Sequence, residues 1–181
     1  DRLKEDDSII ADHYNSATVL FADIVGFTAL SEQVTPTELV NYLNQLFSAF
    51  DDLAEKHGLE KIKTIGDSYM VAGGFPEPNE DHAHDVSMMA LDMLSAVVKF
   101  NDETKNTLSI RIGIHTGPAV AGVIGIKKFT YDVWGDTVNT ASRLEHAAPR
   151  GGILISRDTY RHVRGLFEVE PLEPIRVKGK A

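Results

Sequence analysis

The spacing of apolar residues changes period along the chain, and each change marks an element. Residues 17–24 are largely apolar and β-branched, which predicts a buried strand. Val25-Gly26-Phe27-Thr28 then reads as a turn. Thr35-Pro36-Thr37-Glu38 has the marks of a helix start, a capping threonine followed by proline at the first helical position and a glutamate two further on. Leu39, Leu43, Leu46, Phe47, Phe50 and Leu53 recur at helical spacing behind it, and Gly58 closes the helix. Residues 59–65 and 69–72 predict two short strands joined by Gly66-Asp67-Ser68 as a hairpin. Pro76 and Pro78 interrupt the pattern. Asp81 opens a second long helix with Val86, Met89, Ala90, Met93, Leu94 and Val97 inward. Residues 108–114 and 119–126 read as strands about a Thr116-Gly117-Pro118 turn. A helix follows from Asp136 to about His146, with late strands at 153–156 and 175–178.

This order, β-α-β-β-α-β with C-terminal strands and helices added, predicts an α+β fold. Its core is ferredoxin-like, an antiparallel sheet with helices on one face. No repeat, linker or low-complexity stretch divides the chain, so residues 1–181 read as one domain. Both ends look cut, and the last residues read as an interrupted strand. The expectation is a piece of a larger protein.

Composition narrows the function. The chain is 43% hydrophobic and 25% charged, ordinary for a soluble domain. It has no apolar run of about 18 residues, so no membrane segment is predicted, and the charged start is no signal peptide. The absence of cysteine excludes disulfides and thiolate metal sites and fits a cytoplasmic location. A formal net charge of −9 argues against nucleic acid as a partner. A triphosphate would need metals and local cations to meet its charge.

Three stretches carry candidate chemistry. Asp23 interrupts an apolar strand, where an ionised carboxylate is costly unless a cation or several donors meet it; turn amides at a strand end would also serve. Asp67 sits at the hairpin tip, where Gly-Asp is also ordinary turn chemistry. Brought together by strand pairing, the two would make a hard-oxygen site suited to Mg²⁺ or Mn²⁺, as in two-metal phosphoryl or nucleotidyl transfer. Asn139 and Arg143, four apart, share one helix face. They suit a phosphate or sugar oxygen, or else a surface capping network.

Taken together, Phe21-Ala22-Asp23-Ile24-Val25-Gly26-Phe27-Thr28, Lys63-Thr64-Ile65-Gly66-Asp67-Ser68-Tyr69-Met70 and Tyr131-Asp132-Val133-Trp134-Gly135-Asp136-Thr137-Val138-Asn139 closely resemble the class III adenylyl and guanylyl cyclase catalytic domain. The resemblance runs over nearly the whole chain, in order and at the expected spacings, and includes the terminal Val177-Lys178-Gly179-Lys180. It implies that Asp23 and Asp67 hold two divalent cations, with the Ile24 carbonyl as a further ligand. Gly26, Phe27 and Thr28 would offer amides to the triphosphate. Arg111 and Lys178 would meet phosphates, and Asn139 and Arg143 would orient the ribose and stabilise the transition state. The family builds its site from two chains. One gives Asp23, Asp67 and Arg111, the other Lys63, Asp132, Asn139, Arg143 and Lys178. This chain holds both sets, so the resemblance implies a homodimer with two complete sites, possible membrane tethering in the full-length protein, and ATP as substrate.

The base preference follows from Lys63 and Asp132, which match the purine-selecting positions. Lysine donates to adenine N1 and aspartate accepts from N6, whereas guanine reverses that edge. Guanylyl cyclases resemble this chain but typically carry glutamate and cysteine there. The alternatives are a guanylate or relaxed-specificity cyclase and a catalytically weak nucleotide-binding regulatory module. A diguanylate cyclase lacks support because no Gly-Gly-Asp/Glu-Glu-Phe stretch occurs in this chain, and a polymerase palm is disfavoured by charge. Asp81-His82-Ala83-His84-Asp85 reads as a helix start rather than a metal cluster, since residues two apart face different ways. His115 reads as packing or turn chemistry, Trp134 as core or dimer interface, and Met89 and Met93 as core.

Overall fold

The computed structural model describes residues 10–124 and 130–172. The expected strand at 175–178, and Lys178 with it, lies outside the described residues. The elements run β1 (Ile10–Val25), α1 (Phe27–Gln33), α2 (Pro36–Lys56), β2 (Glu60–Ile65), β3 (Ser68–Gly73), α3 (His82–Thr104), β4 (Ser109–Ile124), β5 (Thr130–Trp134), α4 (Asp136–Ala147), β6 (Ile153–Ile155) and α5 (Arg157–Val163). The strands form one six-stranded sheet in the order β2-β3-β1-β4-β5, with β6 pairing β4 in parallel. Its first four strands are antiparallel neighbours in the ferredoxin-like order, and the α+β expectation holds.

Two apolar clusters explain the layers. Alternate residues of a strand face opposite sides. Leu20, Ala22 and Ile24 of β1 meet Phe50 of α2 and Met89 and Met93 of α3 on one side. Val19 and Phe21 turn to the other side with Met70, Ala72 and Ala141 of α4. The predicted stripes of α2 and α3 are therefore the core, with Met89 and Met93 fully buried. The capping box at Thr35 is formed in full, its hydroxyl accepting from the Glu38 amide and Glu38 answering at the Thr35 amide.

The two helices of the βαββαβ core, α2 and α3, share one face as expected, and the second face is covered by an added helix. The helix α4 lies across the second face, and Gly113 admits it. A Cβ on Gly113 would stand 2.1 Å from the Glu145 amide nitrogen and 2.7 Å from the Ala141 carbonyl oxygen, both backbone atoms that cannot rotate aside.

The Thr116-Gly117-Pro118 turn is corrected, since β4 runs straight through it. Tyr14 pairs with Ala119 and Ala17 with Gly117, so β1 spends two residues where β4 spends one, Pro118. A proline, which cannot donate to the ladder, is tolerated at such a bulge. Likewise Val25 to Thr28 is not a free turn. Gly26, at φ 93°, caps α1, and Phe27 and Thr28 form its first turn. The helices α1 and α5 and the strand β5 fall in stretches too short for periodicity to mark.

A buried polar chain ties α3 and α5 to the sheet. Thr18 Oγ1 lies 2.6 Å from His82 Nδ1 and 2.9 Å from Thr116 Oγ1, which lies 2.9 Å from Thr159 Oγ1. His82 is thus a core histidine, and burial holds its pKa below the usual value. His84 is apart from it, beside Asp85. His115, mid-strand, is buried with Nδ1 2.7 Å from Ser156 Oγ. Among the described residues, no helix is long and apolar enough to cross a membrane.

The seat of α4 is testable. Gly113→Ala forces the helix off the sheet and is expected to cost about 3 kcal/mol, the upper part of the range for overpacking, measured by urea denaturation. An unchanged midpoint would mean that α4 shifts freely.

Candidate active site

The strand register gathers the first set of residues. Asp23 is paired across β1 and β4 with Arg111, and across β1 and β3 with Ser68, next to Asp67 at the hairpin tip. Arg111 Nη2 donates to Asp23 Oδ2 at 3.3 Å. The amide of Ile24 donates to the Asp67 carbonyl at 3.2 Å, which ties the hairpin tip to the end of β1. Burial, and then the neighbouring Asp23 carboxylate, push the Asp67 carboxyl above its usual range. Beside them Gly26 opens α1 with no side-chain cap. The first amides of that helix, from Phe27 onward, have no intrahelical acceptor.

The second set lies elsewhere on the same chain. Lys63 Nζ and Asp132 Oδ2 form an ion pair at 3.0 Å between β2 and β5, and Asp132 Oδ1 accepts from the Val133 amide at 2.8 Å. A bulge makes this pairing possible. Lys61 pairs with Val71 but Lys63 pairs with Met70, leaving Ile62 as an extra residue. Lys61 stays over the Tyr69 ring and bonds Asp51 of α2, on the α2 side of the sheet. The extra residue turns Lys63 to the side of Met70 instead. Asn139 and Arg143 are exposed on α4, and neither side chain bonds another described residue in this structure. Their helix buries Thr137, Thr140, Ala141, Leu144 and Glu145 inward. At about 100° per residue, Arg143 stands roughly opposite Glu145 and points off the sheet.

Glu145 was not foreseen. It is 2% exposed, with Oε1 3.9 Å from Arg111 Nε and Oε2 3.3 Å from His146 Nδ1. Neither Glu145 Oε1 nor Arg111 Nε has a hydrogen-bond partner among the described residues. Burial first, then Asp23, raise its carboxyl pKa to about 7. The signal was in the sequence, since Glu145 falls four residues after Ala141 on the inward stripe of α4. Trp134 is half-buried and borders a separate cavity of about 420 Å³ with His13, His115 and Asp158.

Asp23, Asp67 and Glu145 thus all lie within the field of the Arg111 guanidinium. That excess of carboxylate is the chemistry of a cation site. No group of three or more His, Cys, Asp or Glu is arranged to hold a metal among the described residues. A cation at Asp23 and Asp67 would therefore complete its shell with backbone oxygen, water and substrate phosphate, the habit of Mg²⁺ and the like.

The raised carboxyl of Glu145 has a definite pH signature. Its folded pKa, about 7, lies above the unfolded value, so the folded state holds the proton longer. That stabilising difference is complete at low pH and is lost as pH rises from about 4.5 to 7. Urea denaturation at pH 5 and pH 8 is expected to show wild type losing about 2 kcal/mol more than Glu145→Gln over that window. Parallel curves would contradict the assignment.

Comparison with known proteins places the chain in a family. The family model described as the adenylate and guanylate cyclase catalytic domain matches residues 9–181. An adenylate cyclase of Mycobacterium tuberculosis is 48% identical over 181 residues, covering 99% of this chain and 41% of the relative, so the chain spans less than half of that protein. The guanylate cyclase domain of RhGC from Catenaria anguillulae, solved with GTP, superposes with a TM-score of 0.88 at 40% identity, covering 93% of each chain. The catalytic core of a rhodopsin-guanylyl cyclase with converted specificity, solved with ATPαS, gives 0.89 at 41% identity, covering 94% of this chain and 92% of the other. Fold and sequence similarity agree, and the chain belongs to the adenylate and guanylate cyclase catalytic domain family.

Proposed function

We propose that this chain converts ATP to 3′,5′-cyclic AMP and pyrophosphate, in sites that two copies of it build between them. The observation that carries the reading is the placement of the two residue sets. Asp23 and Arg111 lie on the sheet face that α4 covers, while Asn139 and Arg143 point from that same helix into solvent. That placement favours a nucleotide that takes Asn139 and Arg143 from a different chain than Asp23 and Arg111. A second copy related by a two-fold axis would bring its outward Asn139 and Arg143 to the Asp23 and Asp67 of the first, and the reverse, giving two equivalent sites.

Each residue then has a task. Asp23 and Asp67, with the Ile24 carbonyl, would hold two divalent cations, Mg²⁺ or Mn²⁺. When bound, such cations acidify the ribose 3′-hydroxyl and carry charge on the leaving pyrophosphate. The amides of Gly26, Phe27 and Thr28 and the guanidinium of Arg111 receive the triphosphate. Asn139 fixes the ribose so that the 3′ oxygen stands in line with the α-phosphorus. As the new 3′–O–P bond forms and the bond to pyrophosphate breaks, Arg143 stabilises the charge gathering on the α-phosphate. The 3′ proton leaves to Asp23, to substrate phosphate or to water. Lys178 would add a phosphate contact.

The 3.0 Å pair of Lys63 and Asp132 supports adenine. It presents a donor and an acceptor side by side, matching N1 and N6, and a guanine edge would set donor on donor and acceptor on acceptor. Unpaired polar groups in such a pocket discriminate strongly. We take the chain as one catalytic domain, placed in the cytoplasm, with membrane tethering possible in a longer protein.

Incubation with ATP or GTP in Mn²⁺ and in Mg²⁺ is expected to yield cyclic AMP from ATP, abolished by Asp67→Ala. No cyclic product from a confirmed dimer would leave a nucleotide-binding regulator. Mixing inactive Asp23→Ala with inactive Arg143→Ala is expected to restore about a quarter of wild-type activity, since half the dimers of a random mixture hold one intact site of two. A dead mixture with proven hybrid dimers would reject the shared site. Changing Lys63→Glu together with Asp132→Cys is expected to move the ATP/GTP ratio of kcat/KM toward GTP by about two orders of magnitude. An unmoved ratio would place base selection elsewhere.

A further inference from the structure

We propose that Glu145 is a positioning residue, a buried carboxylate that keeps Arg111 aimed at the phosphates when Asp23 is taken up by a cation. The inference rests on the reading above, in which Arg111 meets the triphosphate and Asp23 a metal.

Arg111 is held from two directions. On the sheet side its Nη2 donates to Asp23 Oδ2 at 3.3 Å. On the helix side its Nη1 donates to the His146 carbonyl at 3.5 Å, and its Nε faces Glu145 Oε1 at 3.9 Å. The sheet-side hold is conditional. A carboxylate has a limited set of lone pairs, and oxygens that coordinate cations are withdrawn from the guanidinium. The helix-side hold does not depend on ligands. Glu145 is 2% exposed, and its backbone is seated where Gly113 leaves no room for a Cβ. The two atoms that face each other there, Arg111 Nε and Glu145 Oε1, are 3.9 Å apart, both buried, and have no hydrogen-bond partner among the described residues. Each leaves the other its natural complement.

A guanidinium is a planar fork with five donors. Bonded through Nη1 at α4 and faced at Nε by the Glu145 carboxyl, it keeps Nη2 pointed across the sheet, and the departure of Asp23 frees that nitrogen for a phosphate oxygen. Without the Glu145 carboxyl beside Nε, the fork has only the neutral His146 carbonyl on the helix side. It then stays on Asp23, where it opposes both the cation and the triphosphate. Glu145 touches no substrate in this scheme and acts through Arg111.

The test uses inorganic tripolyphosphate as a probe of the phosphate arm alone, titrated calorimetrically with Mg²⁺ into the whole chain. Glu145→Gln is expected to weaken tripolyphosphate binding about tenfold, as loss of a supporting carboxylate commonly does. KM for ATP rises in step, kcat falls less than KM rises, and the thermal midpoint at pH 7 is not lowered. Glu145→Asp, charged but shorter, falls between and serves if the glutamine variant does not fold. In an Arg111→Ala background the Glu145→Gln change is expected to have no further effect. Wild-type tripolyphosphate affinity in Glu145→Gln overturns the proposal, as does a full effect that persists without Arg111. If Arg111→Ala alone leaves tripolyphosphate binding intact, the assignment of Arg111 to the phosphates fails and the positioning role falls with it.

Discussion

The contact that the rest of this structure depends on is a backbone-to-backbone one, α4 lying on the bare Cα of Gly113. It is made on the face of the sheet that a simpler ferredoxin-like plan leaves open. By setting the helix there it fixes which residues are hidden and which are offered. Ala141 and Glu145 go inward, toward the strands that carry Asp23 and Arg111. Asn139 and Arg143 go outward. In the proposed dimer, one helix would thereby support the site of its own chain with one face and offer Asn139 and Arg143 to another copy with the other. A longer side chain at 113 would not remove any functional residue, yet it would misplace residues of both sets together.

The electrostatics of the site follow from that packing. Three carboxylates and one guanidinium share a partly buried space, and such a group is unfavourable by itself. The raised pKa values of Asp67 and Glu145 are the measure of this strain. Cations and a polyanion that arrive together would relieve it from both signs. The protein thus keeps its charges preorganised and the cost is met in the folded state, where the helices α2 and α3 and their large core provide the stability.

Much of this was legible in the residues. The stripes of α2 and α3, the cap at Thr35 and the hairpin at Gly66 were all strong local signals, and local signals are what sequence periodicity reports. Asp23 and Asp67 stood out because a carboxylate breaks an apolar run or sits at a tip. What escaped was non-local. Pro118 looked like a turn because the bulge that accommodates it is in β1, a hundred residues away in sequence. The second helical layer was hidden because a glycine in a strand does not announce what rests on it. Glu145 was on the inward stripe of α4, but its partners, Arg111 and Asp23, come from two strands of distant sequence.

The bulge at Ile62 has a consequence for how this domain can be recombined. Side chains on a strand alternate, so one surplus residue inverts the parity of everything beyond it. The identity of Lys63 is only half of what puts an ammonium group next to Asp132; the other half is that the count of residues before it is odd in the right place. Two domains with the same lysine and the same aspartate could differ in whether those side chains meet at all, through a single inserted or missing residue. For grafts between relatives, β2 and β3 therefore form one heritable unit, since the lysine carries its meaning only together with the misalignment that turns it.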